Sequence, residues 1–485
     1  MVTKSIKLLS VSACVLFFST IVFAQAEFVP GEVLIRFKPA VISLPEEVRE
    51  IPAEKTKSAA QSIDKLNKKF KLKKLERVFK RPESKVASVR ARESKKTLPD
   101  LSQIYKLVFP SDTDIGSALN EYRQDPNVEY AEPNYIYSID APDDTYYANY
   151  PASPNQWGLY KIGLAPTGSS TSGWDYTTGE ANIAVAVVDT GVEWDHPDLS
   201  ANIYTNSADP INGADNDSNG YIDDYRGWDF TDIDTASWQG MGYTLDPAED
   251  YTTRDNDPMD KHSHGTHVAG IASASTNNGT GIAGSGWRSK VMAVRAGFRI
   301  QTPSGVWTGS FENDDIAAAI QYAADRGAKI INMSFGSTSA SSTIQNAINY
   351  ADAADCVLVA SAGNSDVETL NYPAAYTNVL AVAATDKDDA KASYSNYGTW
   401  VDISAPGGDS SAQIYSTVLN YSYDWKSGTS MAAPLVAGVA ALTRAKFPTF
   451  TNDQIYTQIE STADNIDGFN PSYSGKLGSG RINAF

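Results

Sequence analysis

Three short segments carry residue types that together could activate a serine hydroxyl. Ser430 lies among small residues in segment 428–434 (GTSMAAP) and is followed by a helix-forming run. Asp189 ends an apolar run, and His264 opens a second small-residue segment, 264–270 (HGTHVAG). Taken alone, such a serine is most often a helix N-cap. It becomes a candidate nucleophile when a base lies within hydrogen-bond reach and a carboxylate orients that base.

The segments occur in the order Asp, His, Ser, and with their flanking residues they resemble the subtilisin-like serine proteases, or subtilases. The resemblance identifies Ser430 as the nucleophile, His264 as general base and then acid, and Asp189 as the carboxylate that orients the imidazole. It implies an α/β fold, with a parallel-sheet, three-layer subtilisin-like catalytic domain after a small α+β prodomain. It also implies a serine endopeptidase that acts on proteins and peptides.

The same resemblance assigns the oxyanion hole and the substrate cleft. Asn364, in segment 361–365 (SAGNS), corresponds to the side-chain oxyanion donor beside the backbone N–H of Ser430. The strand that pairs with the substrate backbone corresponds to Ser334, Phe335 and Gly336. The other wall of the primary pocket corresponds to Ser361, Ala362 and Gly363. Residues 307–310 are expected to border a more distal pocket. Because main-chain pairing supplies most of the affinity, we expect broad cleavage, with some preference for large apolar residues before the scissile bond.

The alternation of apolar and amphipathic stretches supports this fold independently of the resemblance. Strands are predicted at 183–189, 291–295, 330–335, 356–362 and 379–384, and helices at 316–326, 343–353 and 432–444. Such alternation predicts a parallel sheet with helices on both faces and a ligand crevice outside the carboxyl ends of the strands. Asp189, Ser334 and Asn364 each fall at or just after a predicted strand end, which places them at that crevice.

The first 140 residues differ from the rest and predict a precursor. Residues 1–26 combine two lysines with an apolar run and end in Ala-Gln-Ala, which is typical of a signal peptide; a membrane anchor is the alternative. Residues 27–140 carry 21 Lys/Arg against 18 Asp/Glu, a net charge of +3, whereas residues 141–485 carry 17 against 40, a net charge of −23. By resemblance, residues 27–140 are a prodomain that inhibits the enzyme and residues 141–485 are the peptidase domain; an unrelated N-terminal domain is the alternative.

Within residues 27–140, strands are predicted at 32–37 and 104–109, helices near 63–79 and 115–123, and a loop at 81–96. We predict cleavage in cis between about Tyr135 and Asp144, which would release a secreted monomer. The acidic charge of residues 141–485 argues against nucleic acid as a partner. No membrane contact is expected after removal of the signal peptide. Cys356 would be the only remaining cysteine, so no intramolecular disulfide is possible.

Calcium is the expected stabiliser of such an exported acidic chain, and two sites are predicted. Residues 215–224 (DNDSNGYIDD) follow the first nine positions of an EF-hand-type loop. The candidate ligands there are Asp215, Asp217, Asn219, Tyr221 and either Asp223 or Asp224; the alternative is a metal-free acidic turn. By resemblance alone, Gln156, Asp198 and Asn278 correspond to the side-chain ligands of the family's tight calcium site, joined by backbone oxygens near residues 276–282.

Other interpretations use some of the same residues. His262, His264 and His267 could form a metal site, but no H-E-x-x-H motif or nearby cysteine supports it. By resemblance His196 and His267 are structural, and His262 is expected to be a solvated loop residue. A pseudoprotease or calcium-binding adhesive protein would be expected to lack one of the catalytic residues, and none is missing. An α/β-hydrolase esterase requires a G-x-S-x-G elbow, which this sequence does not contain.

Overall fold

The computed structural model describes residues 28–42, 50–56, 58–79, 101–135, 142–147, 156–165 and 171–485. The chain divides into two compact units between residues 138 and 139. The predicted signal peptide, the predicted loop at 81–96 and most of the predicted cleavage segment lie outside the described residues. Within the described parts of the chain, no helix has both the length and the apolar character needed to cross a membrane.

The first unit is an antiparallel sheet packed against two helices. Its strands are β1 (Phe28–Phe37), β2 (Glu50–Pro52), β3 (Lys74–Arg77), β4 (Ile104–Val108) and β5 (Val128–Tyr135), and its helices are α1 (Gln61–Lys69) and α2 (Ile115–Gln124). The strand order is β2-β3-β4-β1-β5. Alternate residues of β1, including Val33 and Ile35, are buried and pack with Ile63 of α1 and Tyr122 of α2. This is the small α+β unit that the sequence predicted.

The helix predicted near residues 63–79 is wrong in its second half. Helix α1 ends at Lys69, and Lys71 then takes a left-handed backbone conformation with a φ of 55°. The chain turns there into β3, which pairs with β4. Sheet pairing therefore overrides the helical periodicity of this lysine-rich stretch.

The second unit is built around a seven-stranded parallel sheet. Its strands are β6 (Ala184–Asp189), β7 (Gly227–Asp229), β8 (Thr244–Leu245), β9 (Lys290–Arg295), β10 (Gly297–Gln301), β11 (Trp307–Phe311), β12 (Ile330–Met333), β13 (Val357–Ser361), β14 (Leu380–Thr385), β15 (Ile403–Pro406), β16 (Ile414–Val418) and β17 (Ser422–Lys426). Its helices are α3 (Trp157–Lys161), α4 (Thr235–Gly240), α5 (His264–Ser273), α6 (Asn313–Asp325), α7 (Ser342–Ala353), α8 (Thr429–Lys446) and α9 (Asn452–Ser461). The main sheet has the order β15-β14-β13-β12-β6-β9-β7, and all its strand pairs are parallel.

Helices cover both faces of this sheet, and β6 shows why. All six residues of β6 are buried, and they alternate between two cores. Val185 and Val187 pack with residues of α5 and α8, whereas Ala184, Ala186 and Val188 pack with residues of α6 and α7. The second unit is therefore the three-layer α/β fold expected from the sequence.

Two smaller sheets were not predicted. Strands β11, β10 and β8 form an antiparallel sheet with its own small core around Tyr251 and Phe298. Strands β16 and β17 form a hairpin that turns at Asn420 and Tyr421, both in the left-handed backbone region. The hairpin ends at Lys426, shortly before α8 begins.

Candidate active site

The sheet topology brings the segments of Asp189, His264 and Ser430 together. Asp189 is the last residue of β6, and the alternation of that strand directs its side chain to the face covered by α5 and α8. His264 is the first residue of α5, and Ser430 is the second residue of α8. Helix α5 packs against α8. Three segments far apart in sequence therefore meet at the carboxyl end of a central strand.

A short hydrogen bond joins Asp189 to His264. The Nδ1 atom of His264 lies 2.7 Å from Asp189 Oδ1, which also accepts a 2.8 Å hydrogen bond from the backbone N–H of Thr190. Asp189 is fully buried, and its Oδ2 has no hydrogen-bond partner among the described residues. Burial disfavours the charged imidazole, but the charge and hydrogen bond of Asp189 outweigh burial and raise the pKa of His264. This pair is suited to accepting a proton and stabilising the resulting imidazolium.

Glycine at position 265 permits this close approach. A Cβ atom built on Gly265 would lie 2.1 Å from the carbonyl oxygen of Gly191 and 3.0 Å from Asp189 Cβ. The backbone N–H of Gly265 also donates a 3.1 Å hydrogen bond to Thr190 Oγ1. Helix α5 can therefore begin directly against the end of β6 because its second residue has no side chain.

Ser430 lies in the first turn of α8, where backbone N–H groups lack partners within the helix. Its hydroxyl donates a 3.1 Å hydrogen bond to the carbonyl oxygen of Ser334. The Ser334 hydroxyl donates in return to the carbonyl oxygen of Ser430, also at 3.1 Å. Among the hydrogen bonds of the described residues, the hydroxyl of Ser430 therefore contacts Ser334 and not the imidazole of His264.

Asn364 follows β13 and presents its carboxamide beside Ser430. Its Oδ1 accepts hydrogen bonds from the backbone N–H of Thr429 at 2.9 Å and from the Thr429 hydroxyl at 3.0 Å. The hydroxyl oxygen of Thr429 also accepts the N–H of Gly363 at 3.0 Å. Because Thr429 fixes Oδ1, it also fixes the orientation of the carboxamide and of its Nδ2 donor. Sequence reasoning missed Thr429, although it directly precedes the serine.

Two asparagines that the sequence did not single out support the walls of the predicted primary pocket. A Cβ atom built on Gly336 would lie 2.1 Å from Asn371 Nδ2, and that atom donates a 3.4 Å hydrogen bond to the Ser361 carbonyl. The side chain of Asn371 therefore lies between the two walls. Asn396 Nδ2 donates a 2.9 Å hydrogen bond to the Ala362 carbonyl on the second wall.

Residues 307–310, expected beside a distal pocket, lie in β11, an edge strand of the small three-stranded sheet. At the end of this strand, the ring of Phe311 stacks on Phe335 with centroids 4.4 Å apart. A Cβ atom built on Gly309 would lie 3.0 Å from Thr190 Cγ2 and 3.7 Å from His262 Nδ1. The small sheet therefore contacts the segment that holds Asp189.

The other histidines do not assemble a metal site with His264. His196 is fully buried, and His267 is buried with its Nε2 3.1 Å from the Asp424 carbonyl; burial lowers the pKa of His267 to about 3. The expectation of a solvated His262 is wrong. Its ring is 6.3 Å from that of His264, its Nδ1 is buried without a partner in the described chain, and burial lowers its pKa to about 4. Among the described residues, the groups of side chains that could hold a metal contain no histidine.

The acidic loop at 215–224 gathers three carboxylates, one of them from outside the loop. Oxygens of Asp209, Asp215 and Asp217 all lie within 4.8 Å of one another. Asp209 is fully buried, and Asp217 Oδ1 is buried with no hydrogen-bond partner among the described residues. Several carboxylate oxygens around an unpaired oxygen are the donor set that calcium prefers.

The carboxylates of this cluster also bond to protein groups, and Asp217 Oδ2 pairs with Arg326 at 2.8 Å. The remaining candidate side chains of the loop lie outside the cluster and bond to protein groups as well. Asp223 accepts hydrogen bonds from the backbone N–H groups of residues 212 and 213. Asp224 accepts from the hydroxyl of Tyr322 at 2.9 Å and from the carboxamide of Asn219 at 3.0 Å. The Oδ1 atom of Asn219 accepts the N–H of Tyr221 at 2.7 Å. The carboxylate cluster thus contains Asp209, whereas Asp223 and Asp224 help to fix the loop.

At the second predicted calcium site, two of the three side chains bond each other, and the third lies beside them. Asn278 Nδ2 donates a 3.0 Å hydrogen bond to Oδ1 of Asp198, which is fully buried. Burial raises the pKa of Asp198 to about 6. The carboxamide of Gln156 bonds the backbone of Ala283, at 2.8 and 2.7 Å, and the N–H of the preceding residue, Ile282, donates to Asp198 at 2.8 Å. Asp144 was not singled out, yet its carboxylate accepts the N–H groups of residues 277 and 278.

Comparisons with known proteins agree with this architecture. The model of the subtilase family matches residues 180–480, and that of the fervidolysin N-terminal prodomain matches residues 23–134. The chain is 37% identical over 463 residues to the thermophilic serine proteinase of Bacillus sp. (strain AK1). This match covers 95% of this chain and 88% of that protein. It is 38% identical over 344 residues to thermitase of Thermoactinomyces vulgaris, covering 71% of this chain and 98% of thermitase.

A solved structure of a protease from Pseudoalteromonas arctica is similar with a TM-score of 0.55 and 30% identity, over 71% of this chain and 98% of that one. The family matches and the relatives together span both units of the chain. The chain therefore belongs to the subtilase family of serine peptidases and carries a prodomain of the fervidolysin type.

Proposed function

We propose that this subtilase is a secreted, calcium-stabilised serine endopeptidase whose catalytic triad is Asp189, His264 and Ser430. The observation that carries the proposal is the 2.7 Å hydrogen bond between His264 Nδ1 and the buried Asp189 carboxylate, beside the helix that bears Ser430. A buried carboxylate paired with a histidine of raised pKa is the arrangement that activates an alcohol near neutral pH.

In the proposed mechanism, Ser430 attacks the scissile carbonyl while His264 Nε2 takes the hydroxyl proton. The hydroxyl must turn from the Ser334 carbonyl toward the imidazole, and catalytic hydrogen bonds commonly tighten only when substrate is bound. Asp189 keeps the N–H on Nδ1 and stabilises the imidazolium. His264 then protonates the leaving amine, and a water molecule repeats the two steps to release the acyl group as an acid.

The negative charge of the tetrahedral intermediate requires two donors, for which we propose Asn364 Nδ2 and the backbone N–H of Ser430. The fixation of Asn364 Oδ1 by Thr429 supports this role, because the amide donor is held in place before the substrate arrives. Loss of one such donor commonly lowers kcat by about 100- to 1,000-fold. Asn364→Ala is therefore expected to retain the fold and lose most of the activity.

We propose that peptide substrates bind as an extended strand along Ser334–Gly336, with the side chain before the scissile bond between this segment and Ser361–Gly363. Main-chain hydrogen bonds favour many sequences equally, which predicts broad cleavage. The position of Asn371 between the two walls adds a polar group to this pocket. Within this breadth, we expect some preference for large apolar residues before the scissile bond.

We also propose that the protein is made as a self-processing precursor. Residues 1–26 direct secretion, residues 27–140 inhibit the peptidase after cleavage in cis between about Tyr135 and Asp144, and residues 141–485 act as a monomer. The match of residues 23–134 to a prodomain family supports the inhibitory role. The opposite net charges, +3 for residues 27–140 and −23 for residues 141–485, favour their association.

Calcium is proposed as a structural cofactor at the two acidic loops. At the first, Asp209, Asp215 and Asp217 would hold the ion, and the unpartnered Asp217 Oδ1 is an atom that a cation would satisfy. At the second, Gln156, Asp198 and Asn278 are the candidates, with Asp144 beside them. A bound calcium ion supplies positive charge that stabilises the loops, and no catalytic step uses it.

Replacing Ser430 with alanine tests the proposed function. The variant should fold, fail to hydrolyse casein and leave the precursor uncleaved, because no other group would form the acyl intermediate. Ser427→Ala is the matched control, since Ser427 lies just before α8 and bonds the Asp409 carbonyl. Casein hydrolysis by Ser430→Ala at the rate of the control would refute the serine-protease assignment.

A further inference from the structure

A buried carboxylate outside the proposed triad lies beside it. Asp260 is 2% exposed and precedes His264 by four residues, in a loop that carries no recognised motif. It accepts five hydrogen bonds, and all of its partners lie close to the triad. These donors are the Thr190 hydroxyl (3.0 Å), the Thr266 hydroxyl (2.7 Å) and the backbone N–H groups of His262 (2.8 Å), Ser263 (3.0 Å) and Thr266 (2.9 Å).

The contacts of Asp260 join the strand end that holds Asp189 to the helix start that holds His264. Thr190 directly follows Asp189 and contacts Asp260 through its hydroxyl. Thr266 is the third residue of α5, and its N–H is one of the donors that a helix leaves unpaired at its N-terminus. One carboxylate therefore fixes the two segments relative to each other.

Asp260 also replaces the usual cap of helix α5. Ser263 occupies the N-cap position, but its side chain makes no capping hydrogen bond. Its backbone is left-handed, with a φ of 78°, a conformation that a residue other than glycine keeps only when its surroundings impose it. The hydrogen bond from Ser263 N–H to Asp260 is one of the contacts that impose it.

The hydrogen-bond pattern indicates that Asp260 is ionised. The hydroxyl oxygen of Thr190 accepts the N–H of Gly265, and the hydroxyl oxygen of Thr266 accepts the N–H of Glu193. Because each hydroxyl already accepts one hydrogen bond, its own proton is free to point at the Asp260 carboxylate. Burial raises the pKa of Asp260. Even so, all five partners donate, and a protonated carboxyl would place its hydrogen against donors.

Charged and titratable groups from several elements act on the imidazole of His264. Asp189 at the end of β6 and Asp260 in the preceding loop favour the imidazolium, whereas Lys426 at the end of β17 opposes it. His262 is near by, with a pKa lowered to about 4, and is neutral at the pH at which a serine protease acts. Asp260 is thus the second negative charge near the histidine.

We propose that Asp260 is a positioning residue, which holds His264 against Asp189 and adds a negative charge that favours the imidazolium formed during catalysis. The inference rests on the proposed triad and deepens it. Asp260 touches no reacting atom, so its effect should appear in kcat and in the pH profile, and substrate binding should change little.

The test is Asp260→Asn, measured in the processed enzyme on a peptide substrate across pH. The amide keeps the shape of the side chain but removes its negative charge. Its NH2 group would place hydrogens against the N–H and hydroxyl of Thr266, which donate to the carboxylate in the wild-type protein. We expect kcat to fall about 10- to 100-fold, as for a displacement of about 1 Å, with KM nearly unchanged. The acid limb of kcat/KM should move to lower pH by a few tenths of a unit up to about one unit.

Two further variants make the result specific. Asp257→Asn makes the same chemical change at an exposed position three residues away and should alter neither quantity. Lys426→Met removes the opposing charge and should move the acid limb to higher pH. A wild-type kcat and an unmoved acid limb in Asp260→Asn would overturn the inference, even if its melting temperature fell.

If Asp260→Asn does not fold, Thr190→Val tests the same link, because it removes the hydroxyl that joins Asp260 to the end of β6. It should lower kcat with little change in KM, and an unchanged kcat would overturn the positioning role. An inactive wild-type enzyme would instead refute the proposed triad. The failure of one proposal can therefore be told from the failure of the other.

Discussion

Replacing Gly265 with alanine should separate His264 from Asp189 and impair catalysis. The added methyl group would lie 2.1 Å from the Gly191 carbonyl oxygen, whereas ordinary contacts begin at 3.4 Å. The start of α5 and the end of β6 must therefore move apart by roughly 1.3 Å, the difference between these two distances. The added methyl group meets the backbone oxygen of Gly191 and the side chain of Asp189, which is fully buried. Neither group can easily move aside.

This displacement is large compared with the hydrogen bond that it disturbs. The distance between His264 Nδ1 and Asp189 Oδ1 is 2.7 Å, and an increase of about 1 Å takes it beyond hydrogen-bond range. A misplacement of about 1 Å commonly lowers the rate about 100-fold, which corresponds to about 2.7 kcal/mol of activation free energy. Overpacking of this kind costs about 1 to 3 kcal/mol of folding stability.

The assay is kcat/KM on a peptide substrate, together with the rate at which the precursor disappears. Gly240→Ala is the matched control, because an added Cβ at the end of α4 meets no atom within 4 Å. It should keep wild-type activity and gain up to about 1 kcal/mol of stability. Activity of Gly265→Ala within about threefold of the control would refute the argument that this glycine permits the approach of histidine to aspartate.

Three further predictions concern charge, metal and buried ion pairs. Catalysis requires neutral His264, and Asp189 raises the pKa of this histidine. As pH drops, kcat/KM should therefore fall with a midpoint above 6.5, the ordinary pKa of histidine. A lower midpoint in the pH–rate profile would contradict this. EGTA should lower the Tm of the uncleaved Ser430→Ala precursor, and Asp217→Ala should reproduce part of that loss, because calcium at 100 times its Kd stabilises by about 2.7 kcal/mol. Calorimetry showing the same Tm with and without EGTA would rule out both sites. Arg295→Met should lower the free energy of unfolding, measured by urea titration, by about 3–5 kcal/mol. The reason is that the buried carboxylates of Asp229 and Glu249 lose the cation that pairs with them. A loss below about 1 kcal/mol would contradict this prediction.

The fold of the second unit could be predicted because its local and overall patterns agree. The run that ends at Asp189 is apolar at every position, which fits a strand covered on both faces, and the predicted helices flank it in sequence. The positions of Ser334 and Asn364 after strand ends followed from the same pattern. Less regular elements, such as the β16–β17 hairpin and the three-stranded sheet, have no comparable periodicity and were missed.

The supporting residues of the site could not be predicted from sequence, because their roles depend on contacts made only in the folded chain. Asn371 and Asn396 resemble ordinary turn residues until the strands are assembled. Asp209 joins the carboxylates of the acidic loop at 215–224 from outside the EF-hand-like pattern. Gln156 matches a family ligand position, and its hydrogen bonds to the backbone of Ala283 could not be read from the sequence. Short motifs predict the reacting groups, whereas the groups that surround them became visible only in the structure.

The central claim is that Ser430 is the nucleophile activated by His264, and covalent labelling tests it most directly. The processed enzyme should react with a fluorophosphonate probe, and peptide mapping by mass spectrometry should place one adduct per chain on Ser430. Protonation of His264 at a pH well below its pKa should suppress the reaction of the processed enzyme reversibly, because the hydroxyl then lacks its base. Absence of any adduct in the wild-type enzyme, or an adduct on another serine that survives Ser430→Ala, would contradict the account.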